Sequence, residues 1–150
     1  MSLAKHLARQ SATLAQFIHL LEDEQRALAQ GQVDGQRLSE LAAGKQALLD
    51  TLEQLEAQRR HAQLRLGYGD DRQGAARAAA DAGCLDSWQQ LLAQASRAQQ
   101  LNRRNGDGIR ARLEQNQRML NFLREDGGSG LYGPDGQSRH GRHGALASRA

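Results

Sequence analysis

Leucine returns every seven residues at Leu7, Leu14, Leu21 and Leu28, with Leu3 and Phe17 at the complementary position and Ile18 widening the stripe. A seven-residue apolar repeat runs as one stripe along an α-helix and does not match the two-residue period of a strand. The spacing predicts a first helix over residues 2–30, ~40 Å long at 1.5 Å per residue. "QGQVDGQ" breaks it, and Asp34, a residue type favoured at N-caps, opens a second helix over 35–66. The second stripe is Leu38, Leu41, Leu48, Leu52, Leu55, Ala62 and Leu66. Lys45 and Arg59 interrupt its edge, where their stems can pack while their charges stay wet. "GYGDDRQG" (67–74) reads as a loop, followed by a short helix over 75–82 that Gly83 ends.

The third long helix is expected over 85–124, with a seam of Trp88, Leu92, Ala95, Gln99, Asn102, Gly106, Ile109, Leu113, Asn116, Leu120 and Leu123. Both ends of that seam are apolar and its middle is polar. Helices this long, each with one stripe, must bury their stripes on one another. The expected fold class is therefore all-α: an antiparallel bundle of three long coiled-coil-like helices with a left-handed supercoil. Composition agrees, with aromatics at 3% and a single proline, Pro134, outside all three helices. From Glu125 the chain turns glycine-rich and poor in apolar residues, so residues 125–150 are expected to be a disordered, flexible tail to a 1–124 bundle.

Catalysis and metal binding find no footing. Cys84 is alone, which removes disulfides and cysteine-based metal sites. No inward Glu-x-x-His pair is present for a di-iron bundle. "NGDG" (105–108) lacks the Gly-Lys-Ser/Thr of a phosphate loop, and His140 and His143 sit in the glycine-rich tail. No enzyme activity, cofactor or metal is expected. Residues 97–124 hold seven arginines (97, 103, 104, 110, 112, 118, 124) against Asp107 and Glu114, but the aromatic platforms of a nucleic-acid site are absent. No segment has the roughly 20 apolar residues of a membrane span, and the N-terminus lacks a signal-peptide pattern. A soluble, cytoplasmic protein that binds other proteins is the expectation, with no nucleic acid and no membrane insertion.

Read in order, "LLEDEQRAL" (20–28), "KQALLDTLEQLEAQRR" (45–60), Trp88 in "WQQLL", "NRRNGDGI" (102–109) and "LYGPDG" (131–136) resemble the FlgN-type chaperones of the bacterial flagellar export system. The resemblance covers nearly the whole chain. It implies a cytoplasmic chaperone that masks the terminal amphipathic helix of hook-filament junction proteins before export and delivers them to the export gate. In that family the C-terminal part binds substrate. Carried over, this points to Leu113, Asn116, Leu120, Leu123, Leu131, Tyr132 and Leu146, with Tyr132 also the expected export-gate contact. Trp88, Asn102, Asn105, Gly106 and Ile109 form the structural part of the motif. The two asparagines there are expected to set helix register while Gly106 admits a neighbouring helix closely, and Asn116 to serve a part-wet groove. A coiled-coil scaffold without chaperone activity explains the heptads but not the tail, and a basic helical protein associated with nucleic acid draws on the arginines alone. Self-association in the substrate-free state stays open, as does which junction protein is preferred.

Overall fold

A computed structural model describes residues 1–131, with side chains through Arg124. The described residues are all-helical, with four helices and no strand: α1 (Leu3–Leu28), α2 (Gly35–Arg65), α3 (Arg72–Asp81) and α4 (Leu85–Leu131). Met1–Asn105 forms one compact unit, and the described residues from Gly106 onward belong to a second. The helices lie close to the expected ranges, and two of their ends differ by more than two residues. α3 begins at Arg72 rather than residue 75, because Asp71 caps it by accepting the Gly74 N–H at 2.7 Å. α4 continues past Arg124 to Leu131, since no proline interrupts the chain there and glycines weaken a helix without forbidding it. The remainder of the expected tail, residues 132–150, lies outside the described residues.

Local chemistry accounts for each boundary. Ser2 accepts from Lys5 N–H at the start of α1, and Asp34 accepts from Gln36 and Arg37 N–H at the start of α2. At the end of α2, Gly67 sits at φ +90°, with Gly67 N–H on Leu64 C=O and Tyr68 N–H on Gln63 C=O. Gly83, at φ +74°, ends α3 the same way, with Cys84 N–H on Ala79 C=O. Both ends are Schellman motifs, which need a residue tolerant of the left-handed region. Gly74 meets a different demand: a Cβ there would fall onto the Gly69 carbonyl oxygen, so only glycine lets α3 lie against the preceding loop.

Within residues 1–105, side-chain contacts give the helix directions. Gln10 meets Glu56 and Glu24 meets Lys45, so α2 runs antiparallel to α1. Ser11 meets Gln94 while Leu21 and Glu24 meet Asn105, so this part of α4 runs parallel to α1. The core is the α1 line Leu3, Leu7, Leu14, Phe17 and Leu21 packed with Ala75, Ala78 and Ala79 of α3, Cys84 just before α4, and Trp88, Leu91, Ala98 and Leu101 of α4. Leu41 and Leu55 are the buried apolar residues of α2. Each fully covered leucine contributes ~1.5 to 3 kcal/mol relative to exposure, so the α1 heptads supply much of the stabilisation.

The inward line of α4 differs from the expected seam. Cys84, Leu91, Ala98 and Asn105 repeat every seven residues and are buried together with Trp88 and Leu101, whereas Ala95, Gln99 and Asn102 are exposed. The helix is rotated by about one residue from the expected register, because Leu91 and Leu101 bury more apolar area than Ala95 and Asn102 can. In α2, Leu66 is exposed and Arg59 is buried, so the Arg59 charge is not wet as expected.

Candidate partner-binding surface

Two polar clusters inside residues 1–105 have their hydrogen-bonding capacity directed at one another. The first surrounds Glu24, a carboxylate 2% exposed in the α1 seam. It accepts from Lys45 Nζ at 3.2 and 3.3 Å and from Asn105 Nδ2 at 2.9 Å, and Asn105 Nδ2 also donates to Leu21 C=O at 2.9 Å. Lys45 Nζ donates in addition to Asn102 Oδ1 at 3.2 Å. One carboxylate, one ammonium and two amides thus tie α1, α2 and α4 together. A buried ion is tolerated when it is paired and hydrogen-bonded in this way. Asn105 takes the buried position expected of a register-setting amide, while Asn102 acts from the exposed rim.

The second cluster centres on Arg59. Its Nε and Nη2 donate to both Glu56 carboxylate oxygens at 2.9 Å, its Nη1 donates to Gln63 Oε1 at 2.7 Å, and its guanidinium lies 4.8 Å from the centre of the Trp88 ring. Gln63 Nε2 continues to the Gly69 carbonyl at 2.6 Å. Burial alone raises the Glu56 carboxyl, but hydrogen bonds from Arg59 and Gln10 and the charges of Arg59 and Arg60 outweigh it and hold the group below its ordinary value. An open cleft of about 310 Å³ beside this cluster is lined by Arg59, Arg60, Asp70 and Trp88, among others. Two of its cations are already paired, Arg59 with Glu56 and Arg60 with Asp70.

Gly106 does not have the role expected of it. A Cβ there would meet only the Arg110 side chain, at 3.7 Å, which is ordinary van der Waals contact. Among the described residues, no neighbouring helix approaches closely enough to require glycine.

Beyond Ile109, α4 carries apolar side chains that stay about half exposed. Ile109 is half-buried; Leu113, Leu120 and Leu123 are 47%, 49% and 56% exposed, and Met119 and Phe122 are exposed as well. Steps of four and three residues join Ile109, Leu113, Asn116, Leu120 and Leu123 into one stripe on one helix face. Asn116 lies exposed in the middle of it. Of the residues expected to bind substrate, Leu113, Asn116, Leu120 and Leu123 are therefore brought onto a single accessible face. Leu131 ends α4 with its side chain outside the described residues, where Tyr132 and Leu146 also fall. Trp88 is buried in the core, as its place in the structural motif implies.

Sequence reasoning passed over Gln10, Glu24 and Gln63, three of the buried polar residues around the core. Glu24 and Gln10 stand at the four-and-three steps of the α1 leucines, Leu7–Gln10–Leu14 and Leu21–Glu24, and that spacing is the signal by which they could be found. Among the described residues, no three His, Cys, Asp or Glu side chains lie close enough together to hold a metal ion, and no helix is long and apolar enough to cross a membrane.

Residues 1–140 match the family described as "FlgN protein". The chain is similar to the flagella synthesis protein FlgN of Salmonella typhimurium strain LT2, at 31% identity over 136 residues covering 91% of this chain and 89% of that one. It is similar to the Escherichia coli K12 protein of the same name at 29% identity over the same shares, and to that of Proteus mirabilis at 28% identity over 91% and 90%. No solved structure matches the chain.

Proposed function

The chain belongs to the FlgN family, and from that premise we propose that it is a cytoplasmic type III flagellar export chaperone. It binds the terminal amphipathic helix of hook-filament junction proteins, prevents their premature assembly and aids their delivery to the export gate. Membership carries a role in flagellum synthesis; the chaperone role rests on one observation in particular, the uncovered stripe of Leu113, Leu120 and Leu123 on α4. A helix with an unmatched apolar face is complementary to another amphipathic helix, and the pairing removes both stripes from water. Masking a self-associating terminal helix requires such a face to stay available in the free chaperone.

The scaffold is an antiparallel bundle of three long coiled-coil-like helices; the flexible tail expected beyond it lies outside the described residues. Leu131, Tyr132 and Leu146 extend the substrate contact, with Tyr132 also meeting the export gate.

Co-purification of the full chain with a hook-filament junction protein, at about 1:1, tests this reading. Leu120→Ser with Leu123→Ser should weaken capture at least tenfold while leaving the melting temperature unchanged, because these side chains are already half in water. Tyr132→Ala should spare capture and reduce export. Failure of the unaltered chain to capture any junction protein would rule out the chaperone role.

A further inference from the structure

In its first stretch α4 meets two helices at once, and its heptad positions sort by neighbour. Gln94 accepts from the Ser11 hydroxyl of α1 at 2.8 Å, and Leu101, one heptad on, is buried. Trp88 lies against Arg59 of α2, and Asn102, two heptads on, accepts from Lys45 of α2. Between these two lines run Leu91, Ala98 and Asn105, all buried. Seven-residue steps carry the same three lines past Asn105. The line of Gln94 reaches Gly108, Gln115 and Phe122, the middle line reaches Arg112 and Met119, and the line of Trp88 reaches Ile109, Asn116 and Leu123. Phe122, Met119 and Leu123 are 63%, 55% and 56% exposed. Leu120 and Phe122 lie ~160° apart around the helix axis, with Leu123 and Met119 between them.

We propose that residues 109–124 of α4 are covered by two amphipathic helices of one partner, packed side by side, as α1 and α2 cover residues 88–105. The inference rests on the reading of the stripe as the substrate surface and adds the number of helices that surface receives. A helix that packs on one layer carries an apolar stripe of about 100°, so a single helix over Ile109, Leu113, Leu120 and Leu123 leaves Met119 and Phe122 in water. Residues 109–124 span only ~24 Å, and a stable interface takes ~800 Å² from each partner, which favours use of the whole arc. Arg112 on the middle line is no bar, because an arginine stem packs on apolar surface, as that of Arg59 does in the core. Two other occupants fit less well. A second copy of this chain brings one helix of the same kind and leaves one line open. Residues 132–150 hold four glycines, a proline and only Leu146 among the large aliphatics, too few for a heptad stripe.

Site-specific photo-crosslinking on the full chain tests the number of helices. Benzoylphenylalanine is placed at Leu113 in one variant and at Phe122 in another, positions ~180° apart around α4. Each variant is mixed with a hook-filament junction protein and irradiated, and the cross-linked segments are identified by mass spectrometry. The two positions should mark two different helical segments of that protein. Met119→Ser with Phe122→Ser, and separately Leu113→Ser with Leu120→Ser, should each weaken its capture at least tenfold. Trp88 emission of the free chain should be unchanged in both, because all four side chains are about half exposed or more.

One partner segment marked from both positions overturns the proposal while leaving the stripe as the substrate surface. Undiminished capture by Met119→Ser with Phe122→Ser, alongside loss in Leu113→Ser with Leu120→Ser, does the same. Cross-links from position 122 to a second copy of the chain, or to residues 132–150, assign that line to those occupants and also overturn it. Capture that survives both pairs of substitutions, or no capture by the unaltered chain, overturns the reading of the stripe itself and the proposal with it.

Discussion

α4 carries two stretches of similar sequence character with opposite fates. From Cys84 to Asn105 its seven-residue line is closed over by α1 and α3, and the polar residue on that line, Asn105, is answered by Glu24 and Leu21 C=O. From Ile109 to Leu123 the helix carries a comparable apolar line, with Asn116 as its polar residue, and the leucines stay about half exposed. The pattern of apolar steps cannot separate the two. What separates them is whether another part of the chain supplies a matching stripe. An amphipathic face thus specifies that a partner is needed, without specifying whether the partner is internal.

The largest effects should come from substitutions that set one stretch against the other. Leu21→Ala, at a position with no exposure, should cost ~3 kcal/mol by transfer and cavity formation, whereas Leu120→Ala should shift stability by under ~0.5 kcal/mol. Urea unfolding of both variants measures the contrast, and equal losses would mean that the second stretch is also part of the core. Glu24→Ala should cost about as much, near 3 kcal/mol, because it removes the buried counter-charge of Lys45 and leaves Asn105 only Leu21 C=O as acceptor. A double-mutant cycle with Asn105→Ala should show strong coupling, while the same cycle on Asn116 with any α1 residue should show none.

Two glycines give the next pair. Gly74→Ala should destabilise by ~2 kcal/mol, since the Gly69 carbonyl has nowhere to move without breaking its bond from Gln63. Gly106→Ala should stabilise by up to ~1 kcal/mol, because the space for a methyl group is open and alanine favours the helix. Thermal melts of the two variants should move in opposite directions.

The smallest effect is the acid sensitivity of residues 1–105. His6 is held below its ordinary value near 6.5 by burial, then by the N-terminal, Arg9 and Arg59 charges. Its neutral form is the one the fold accepts, so stability falls as pH drops below about 6.5. Glu56 is held below its ordinary value near 4.5, so its contribution is present above that value and is lost as pH falls through the lower folded value. In both cases the unfolded chain binds more protons, and the melting temperature should decline from pH 7 to pH 3.5. Glu56→Gln should flatten the part of the decline below pH 4.5.

Much of the fold was legible in the sequence because α1 states it redundantly: five of its seven buried residues are apolar at heptad steps, and Ser2 and Asp34 mark helix starts. α4 was less legible. Its buried line includes alanine, cysteine and asparagine, so a rival line through Leu92, Ala95 and Asn102 scored as well until α1 selected between them. Arg59 illustrates a further limit. Its burial depends on Glu56 and Gln63 on its own helix and on Trp88 across the core, and only the last of these requires the tertiary fold to predict. Gly106 was misread because a mid-helix glycine usually signals close packing, and the space around it can be known only from the structure. On the partner surface, Leu113, Leu120 and Leu123 were marked by resemblance and spacing together. Their exposure could not be read from a pattern that buried helices share.

The placement of Trp88 has an optical consequence. It is the chain's one tryptophan, and it lies in the core against the Arg59 guanidinium, on the stretch of α4 that the fold itself closes over. Its emission should follow unfolding of residues 1–105 and stay nearly silent when a peptide without tryptophan docks on the leucines beyond Ile109. A single cuvette holding the unlabelled chain and a dye-labelled partner helix can then report two equilibria through two colours, with folding read in the ultraviolet and capture in the visible.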